Sequence, residues 1–361
     1  MFNKKKIVVA MSGGVDSSTV AAILNEQGHE VIGVTLQLYD HGSFVGKKGA
    51  CCAGQDIYDA QMTAEKIGIP HYVFNYENIF KQSVIEDFVD SYVRGETPIP
   101  CVRCNQKVKF NDLFKVAKEL GANSLATGHY VQKIIKNGVA ELHKGFDNSK
   151  DQSYFLFTIT KEQLDFLEFP IGHLNKLDTR ALAHKHNLNV AEKPDSQDIC
   201  FVPEGGYTKI IEKLRPEAFE SGNIILKDGA VIGKHNGIAY YTVGQRKGIG
   251  IANPEPLYVL KIKAETNEVI VGPKSELKSS NLKIKEINWI VDEPENLKCS
   301  VKLRSMHVGE SAEIKNISQC TADVQLENPY EGITPGQACV MYDDTRVLGG
   351  GWIVSSISDI K

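Results

Sequence analysis

Residues 7–18 constrain the fold of this chain more than any other stretch: Ile7-Val8-Val9-Ala10, then Met11-Ser12-Gly13-Gly14-Val15-Asp16-Ser17-Ser18. Four consecutive apolar residues mark a strand buried on both faces, and an apolar pattern of helical spacing resumes at Val20, Ala21, Ile23 and Leu24. The S-G-G-V-D-S segment between them is too small and too rich in glycine to serve packing alone. Gly13 and Gly14 let backbone N–H groups turn inward, Ser12, Ser17 and Ser18 add hydroxyl donors, and a helix N-terminus follows. Such a loop is an anion cradle suited to phosphate or pyrophosphate. Asp16 would be repelled by bare phosphate, so its place calls for either a magnesium bridge or a helix-capping role. The spacing departs from the G-x-x-x-x-G-K-[ST] pattern. An ordinary strand-to-helix turn is the alternative.

The next two hundred residues keep the alternation. Residues 31–36 read as a second strand, 57–67 as a helix closed by Gly68 and Pro70, and 72–74 as a third strand. Helical patterns follow over 79–93 and over 107–120, the latter beginning near Asn105, and a fourth strand over 124–127 runs into Gly128-His129. Alternation of this kind predicts a parallel sheet with helices on both faces. Ligands then sit beyond the carboxyl ends of the strands, where S-G-G-V-D-S and Gly128 fall. From about Tyr207 the texture changes to short strand candidates at 224–226, 231–232, 239–242 and 258–260. From Lys274 the pattern is β throughout. The expected architecture is α/β: a doubly wound parallel sheet in residues 1–206, a small central α+β domain in 207–273 and an all-β sandwich or barrel in 274–361.

Composition narrows the class. At 361 residues, 42% hydrophobic and 24% charged, the chain is that of a globular protein of two or three domains. The basic start is followed by an apolar stretch that stops at Ser12, too short for a signal-peptide core, so a cytoplasmic location without membrane partners is expected. A net charge of -4 argues against a wholly basic surface for nucleic acid, yet leaves room for local patches. Eight cysteines in such a chain are expected to be catalytic, metal-binding or small buried hydrophobes rather than structural disulfides.

Thr97-Pro98-Ile99-Pro100-Cys101-Val102-Arg103-Cys104-Asn105 is the second chemical signal. Two prolines stiffen the segment, and a helix capped at Asn105 would set Cys104 at a helix N-terminus. Arg103, Lys107 and Lys109 lie nearby, and dipole and cations together favour the thiolate. Alone, C-x-x-C is a redox couple, half a metal site or coincidence. Cys200, in D-S-Q-D-I-C-F-V-P, is either functional or a buried structural thiol. Cys51-Cys52 falls in a glycine-rich stretch, 42–54, a candidate lid. Cys299, Cys320 and Cys339 are expected in the core, as are Tyr154, Phe155 and Phe157. His129 is either a nucleotide contact or a hydrogen-bonded structural histidine.

The loop resembles the PP-loop of ATP pyrophosphatases, which split ATP into AMP and pyrophosphate to adenylate a substrate oxygen. S-G-G-V-D-S, T-P-I-P-C-V-R-C-N, A-T-G-H-Y, K-D-Q-S-Y-F-L, D-S-Q-D-I-C-F, G-Q-R-K-G-I-G and L-G-G-G-W occur in one order from end to end. In that set the chain is similar to the bacterial tRNA-specific 2-thiouridylases, which convert the wobble uridine of glutamate, glutamine and lysine tRNAs to 2-thiouridine. The resemblance implies ATP-binding positions at Ala10, Met11, Ser12, Gly13, Gly14, Val15, Asp16, Ser17, Leu36 and Gly128, with Mg2+ accompanying ATP. It implies a nucleophile at Cys104, a persulfide on Cys200 and a Cys104–Cys200 redox disulfide. Ile99, Pro100 and Cys101 correspond to the segment facing the target base. Lys150, Asp151 and Gln152 correspond to tRNA contacts, as do Arg304 and Ser305 in the β domain.

The implied partners are tRNA and a sulfur-donor protein, either a cysteine desulfurase or a sulfur-relay protein. Many members of that family carry aspartate where this chain has Cys101, and a thiol is a poorer proton shuttle. Cys101, Cys104 and Cys200 could instead ligate three irons of a 4Fe-4S cluster. On the persulfide route the two cysteines must come within about 6 Å between Cα atoms. Lys150, Arg246, Lys247 and Arg304, with Arg103, Lys107 and Lys109, are the candidate phosphate contacts. The rival readings are another PP-loop adenylating enzyme and a non-catalytic RNA- or iron–sulfur-binding protein that holds ATP as a structural ligand.

Overall fold

The computed structural model describes residues 4–39, 52–195, 199–202, 206–318 and 320–356. The chain forms two compact units. The first takes Met1–Val84, Cys101–Pro203 and Thr345–Val347, and the second Ile85–Pro100, Glu204–Asp344 and Leu348–Lys361.

In the first unit β1 (Lys6–Ala10), β2 (Glu30–Gln37), β3 (His71–Asn75) and β4 (Ser124–Ala126) are followed by a hairpin of β5 (Val131–Lys136) and β6 (Val139–Lys144), then by the short β7 (Leu167–Glu168). The sheet order is β3-β2-β1-β4-β7, and every pairing is parallel. β1 lies in the middle, with Ile7 opposite both Val31 and Ser124. This explains its unbroken apolar run. Val8 and Val9 are fully buried because each face of a central parallel strand is covered, and each side chain contributes roughly 1.5–3 kcal/mol. β3 is an edge strand, so Tyr72 and Val73 remain partly in solvent. The β5–β6 turn is Asn137-Gly138, both at positive φ, as a two-residue hairpin requires.

Two helical expectations need correction. The pattern over 79–93 is not one helix but Glu77–Phe80, a wide turn Lys81–Ile85 and then Glu86–Val93. The helix expected to begin at Asn105 instead begins at Pro100 and runs to Cys104. Proline at a first helical position has its φ already set and has no N–H to lose. A wide turn over Asn105–Lys109 follows, closed by the Phe110 N–H donating to the Asn105 carbonyl at 2.8 Å, and Asp112–Glu119 resumes the ordinary helix. Cys104 is therefore not at a helix N-terminus.

In the second unit, β8 (Gly222–Leu226), β9 (Val231–His235), β10 (Tyr258–Lys263) and β11 (Glu268–Gly272) form a sheet of order β10-β11-β8-β9, parallel only between β11 and β8. The strand expected over 239–242 is instead a tight helical turn, Ile238–Tyr240. Gly237, at φ +130°, redirects the chain there against the backbone of Ala218 and Phe219. Six strands then close a barrel: β12 (Lys278–Trp289), β13 (Leu297–Lys302), β14 (Glu310–Lys315), β15 (Thr321–Glu331), β16 (Ala338–Asp343) and β17 (Arg346–Ser356). They run β12-β15-β14-β13-β16-β17, and β17 pairs back onto β12. Leu282, Ile284, Val301, Ile314, Val324, Met341 and Ile353 fill the barrel, together with Cys339. Cys320, expected in the core, is exposed at the turn into β15.

The 85–100 segment belongs to this unit. Tyr92 stacks on Tyr207 with ring centroids 4.7 Å apart, and the Thr97 N–H donates to the Pro335 carbonyl at 2.8 Å. Among the described residues, no helix is long and apolar enough to cross a membrane.

Candidate active site

The S-G-G-V-D-S loop links β1 to the helix Val15–Glu26. Gly13 adopts φ +73°, and a Cβ there would lie 2.1 Å from the Asp56 carbonyl oxygen, so glycine is required twice over. The Ser12 N–H donates to Ser17 Oγ at 3.1 Å, and the two hydroxyls meet at 3.3 Å, folding the loop on itself before any ligand arrives. Gly128 packs on the helix start, where a Cβ would come within 2.8 Å of the Ser17 nitrogen. Ala10 and Leu36 stand at the carboxyl ends of the adjacent strands β1 and β2. Ser18 departs from expectation: it is fully buried and meets Thr63 rather than the loop.

Asp16 caps nothing. Its carboxylate accepts from Lys176 Nζ at 2.8 and 2.9 Å and from the Tyr130 hydroxyl at 2.8 Å. Lys176 also pairs with Asp195 at 2.7 Å, and Asp195 takes Lys150 at 2.8 Å and Arg180 at 3.3 Å. Partial burial works against the Asp195 charge, but the hydrogen bonds from Lys150 and Lys176 hold its carboxyl down at about 2. A second lysine, Lys193, donates to the Gly13 carbonyl at 3.0 Å, to Asp56 at 2.7 Å and to Asp59. Sequence reasoning missed Lys176, Lys193, Asp195, Asp56 and Asp59. Single charges look like solvated faces, and only the place of Asp195 at the head of D-S-Q-D-I-C-F, with Lys193 two residues before it, hinted otherwise.

The three candidate thiols share one neighbourhood in the first unit. Cys101 and Cys104 are three apart on one helical turn and so lie on one face. Cys104 is buried, whereas Cys101 and Cys200 keep exposed surface. Burial pushes all three thiols up, Cys200 to about 12, with the neighbouring Cys104 and Cys101 adding to the rise at Cys200. Lys109 pulls each of the three back down. The wide turn places it there: five residues of about 100° each would carry Lys109 away from the Cys104 face, whereas a wider turn returns it towards that face. Tyr39 hydrogen-bonds Cys200 and favours its thiolate. Phe80, packed 5.7 Å from Phe201 and 6.0 Å from Tyr39, backs this corner. The expected activation of Cys104 by a helix dipole is thus replaced by a desolvated thiol facing a lysine.

His129 lies in the same region, its Nδ1 2.9 Å from Thr127 Oγ1. Burial and then Lys109 drive its imidazole down to about 3, so it is neutral at physiological pH. The site fits the phosphates of a nucleotide: the cradle at Gly13 is closed to any Cβ, and Asp16, held by Lys176 and Tyr130, is a carboxylate of the kind that would hold magnesium beside phosphate oxygens. Among the described residues no three His, Cys, Asp or Glu side chains are arranged to hold a metal.

Other sequence-predicted positions are placed as follows. Ile99 and Pro100 are buried, and Cys101 is exposed. Asp151 accepts from the N–H groups of Gly145 and Ser153 and from the Ser153 hydroxyl. Gln152 accepts from the Tyr130 N–H. Arg304 donates to the Gly332 carbonyl at 2.9 Å and to Thr334 Oγ1 at 3.0 Å, and Ser305 sits in the turn beside it. Arg246 and Lys247 are exposed. Tyr154 and Phe157 are buried as expected. Cys51, most of the candidate lid, and Ser196, Gln197 and Asp198 lie outside the described residues.

Three family models match the chain in succession. Residues 5–204 match a tRNA methyl transferase HUP domain, 208–273 a tRNA methyl transferase PRC-barrel domain, and 279–353 an aminomethyltransferase beta-barrel domain. Fold and site together define an α/β enzyme of the HUP class followed by two β-rich domains. A tRNA-specific 2-thiouridylase MnmA of Rickettsia rickettsii is 60% identical over 354 residues, covering 97% of this chain and 97% of the relative. That of Rickettsia prowazekii is 59% identical over 355 residues, covering 98% and 99%. The chain belongs to the tRNA-specific 2-thiouridylase family. A solved 4-thiouridine synthetase–RNA complex with bound ATP aligns over 59% of this chain and 50% of that one, at 17% identity and TM-score 0.35, too loosely to place any residue.

Proposed function

We propose that this chain is an ATP-dependent thiolase of the wobble uridine in glutamate, glutamine and lysine tRNAs. Its chemistry lies in residues 1–206, ahead of a central domain over 207–273 and a β-barrel over 274–361. One observation carries the reading: Cys104 and Cys200, far apart in sequence, share the influence of Lys109 in the unit that also holds the anion cradle.

Uridine O2 is a poor leaving group. Attack by O2 on the α-phosphorus of ATP expels pyrophosphate into the Ser12–Ser17 loop, where backbone N–H and hydroxyl donors stabilise its charge. Magnesium held by Asp16 and the phosphates would neutralise the departing group. The base must be extruded to reach ATP, with Ile99, Pro100 and Cys101 facing it. A donor protein, a cysteine desulfurase or a sulfur-relay protein, loads Cys200 as a persulfide. The terminal sulfur attacks C2, AMP leaves, and Cys104 attacks the Cys200 Sγ to free the thiocarbonyl. Alternatively Cys104 attacks first and liberates hydrosulfide, which then attacks C2. Either way the two electrons come from the cysteines, a Cys104–Cys200 disulfide forms, and a thiol reductant reopens it. Lys150, Asp151, Gln152, Arg304 and Ser305 are the proposed tRNA contacts.

The test is thiolation of an unmodified glutamate tRNA transcript with ATP, magnesium and a persulfide donor, read by retardation in a mercury-containing gel. An ATP-dependent shift absent in Cys104→Ser and Cys200→Ser is expected, and a shift retained in both would overturn the cysteine roles. Free sulfide should restore thiolation to Cys200→Ser if Cys200 only delivers sulfur.

A further inference from the structure

Four side chains form an unbroken chain of ion pairs in the first unit: Lys150 to Asp195 at 2.8 Å, Asp195 to Lys176 at 2.7 Å, and Lys176 to Asp16 at 2.8 Å. Its ends are two positions with separate proposed ligands. Asp16 belongs to the nucleotide loop, and Lys150 is a proposed tRNA contact. Between them, Asp195 precedes the segment that carries Cys200. Lys176 is only 12% exposed, and such a pair is little screened by salt.

We propose that Asp195 and Lys176 are positioning residues that make tRNA binding and magnesium–ATP binding support one another. The inference rests on the functional reading above. Lys176 is shared between two carboxylates, so whatever weakens its hold on one strengthens its hold on the other. A tRNA phosphate that engages Lys150 removes a cation from Asp195, and Asp195 then draws harder on Lys176. Lys176 loosens from Asp16, whose oxygens are released to face the magnesium that travels with ATP. The reverse route runs through the same atoms: magnesium–ATP at Asp16 frees Lys176 for Asp195, which releases Lys150 to the RNA. Such coupling must be equal in both directions. Arg180 keeps Asp195 from moving as the partners exchange, because its guanidinium also binds the carbonyls of Ala191 and Lys193. Tyr130 O–H stays on Asp16 throughout. The enzyme would hold its ATP site in a low-affinity state until an RNA is present to be adenylated.

The experiment is calorimetric titration of the full chain with α,β-methylene-ATP and magnesium, with and without an unmodified tRNA transcript. Wild type should bind the nucleotide about 5–150-fold more tightly with tRNA, the usual range for coupled sites, and show no enhancement when magnesium is chelated. Asp195→Asn should stay at the weak wild-type affinity whether or not tRNA is added. Lys150→Met should move oppositely, binding tightly without tRNA. Coupling of wild-type size in Asp195→Asn, or a shift of both variants in one direction, overturns the proposal. So does a wild type that binds both ligands independently. A wild type that binds no tRNA at all overturns the functional reading itself, which separates the two failures.

Discussion

At the residue scale, Lys109 has the broadest electrostatic reach in the site, acting on three thiols that burial has pushed up. Lys109→Met should move the pH midpoint of iodoacetamide labelling at Cys104 and Cys200 upward. Labelling at a fixed pH then slows about tenfold for each pH unit by which the midpoint rises. Lys109→Arg should keep most of the effect. A second prediction concerns His129, whose imidazole is held at about 3 in the fold against the ordinary 6.5. The unfolded chain therefore binds the proton that the folded chain refuses. Stability is complete above about 6.5 and falls as pH drops from there towards 3, by up to about 1.4 kcal/mol per pH unit. His235 acts in the same direction, since burial lowers its imidazole too while Nδ1 accepts from the Gly237 N–H. Urea midpoints measured between pH 7.5 and 5.5 should drop, and His129→Gln should flatten the slope.

At the scale of elements, the strand–loop–helix unit depends on its glycine. Gly13→Ala meets left-handed strain of about 1–3 kcal/mol together with a backbone clash on Asp56, whereas Gly28, at φ +82°, has nothing within 4 Å of its missing Cβ. Gly13→Ala should therefore abolish binding of an ATP analogue in calorimetry, while Gly28→Ala costs only stability, read as a small fall in Tm. This unit was legible in sequence because its period, its glycines and its strand are all local. β1 and the run of short strands in the C-terminal third could be read for the same reason. The Pro100 helix and the wide turn at Asn105–Lys109 could not. Asn105 looks like a helix cap but is buried, with its amide Nδ2 donating to the Phe155 carbonyl at 3.2 Å, a partner fifty residues away. Tertiary bonding overrode local propensity there. The Lys176–Asp195 and Lys193–Asp56 pairs escaped notice for the same physical reason, since ion pairs leave no periodicity in a sequence.

At the scale of the whole molecule, neither unit is one continuous stretch of chain. A fragment ending at residue 206 would keep the helix Glu86–Val93 but lose Tyr207, against which Tyr92 stacks, and Pro335, which takes the Thr97 N–H. It would also lose Thr345, whose carbonyl takes the Lys144 N–H, and Arg346, which pairs with the buried Glu141 at 3.1 Å. Such a fragment should bind an apolar dye such as ANS strongly and aggregate, whereas the full chain should not. A fragment that stays monomeric and dye-silent would count against this. The same interleaving sets a clock during synthesis. Thr97 is made on the order of 240 residues before Pro335, which at ~5–20 residues per second is about 10–50 s. For that interval the Thr97 N–H has no Pro335 carbonyl to close on, although Tyr92 can already stack on Tyr207. The 85–100 segment is therefore closed in two stages, by Tyr207 first and by Pro335 much later.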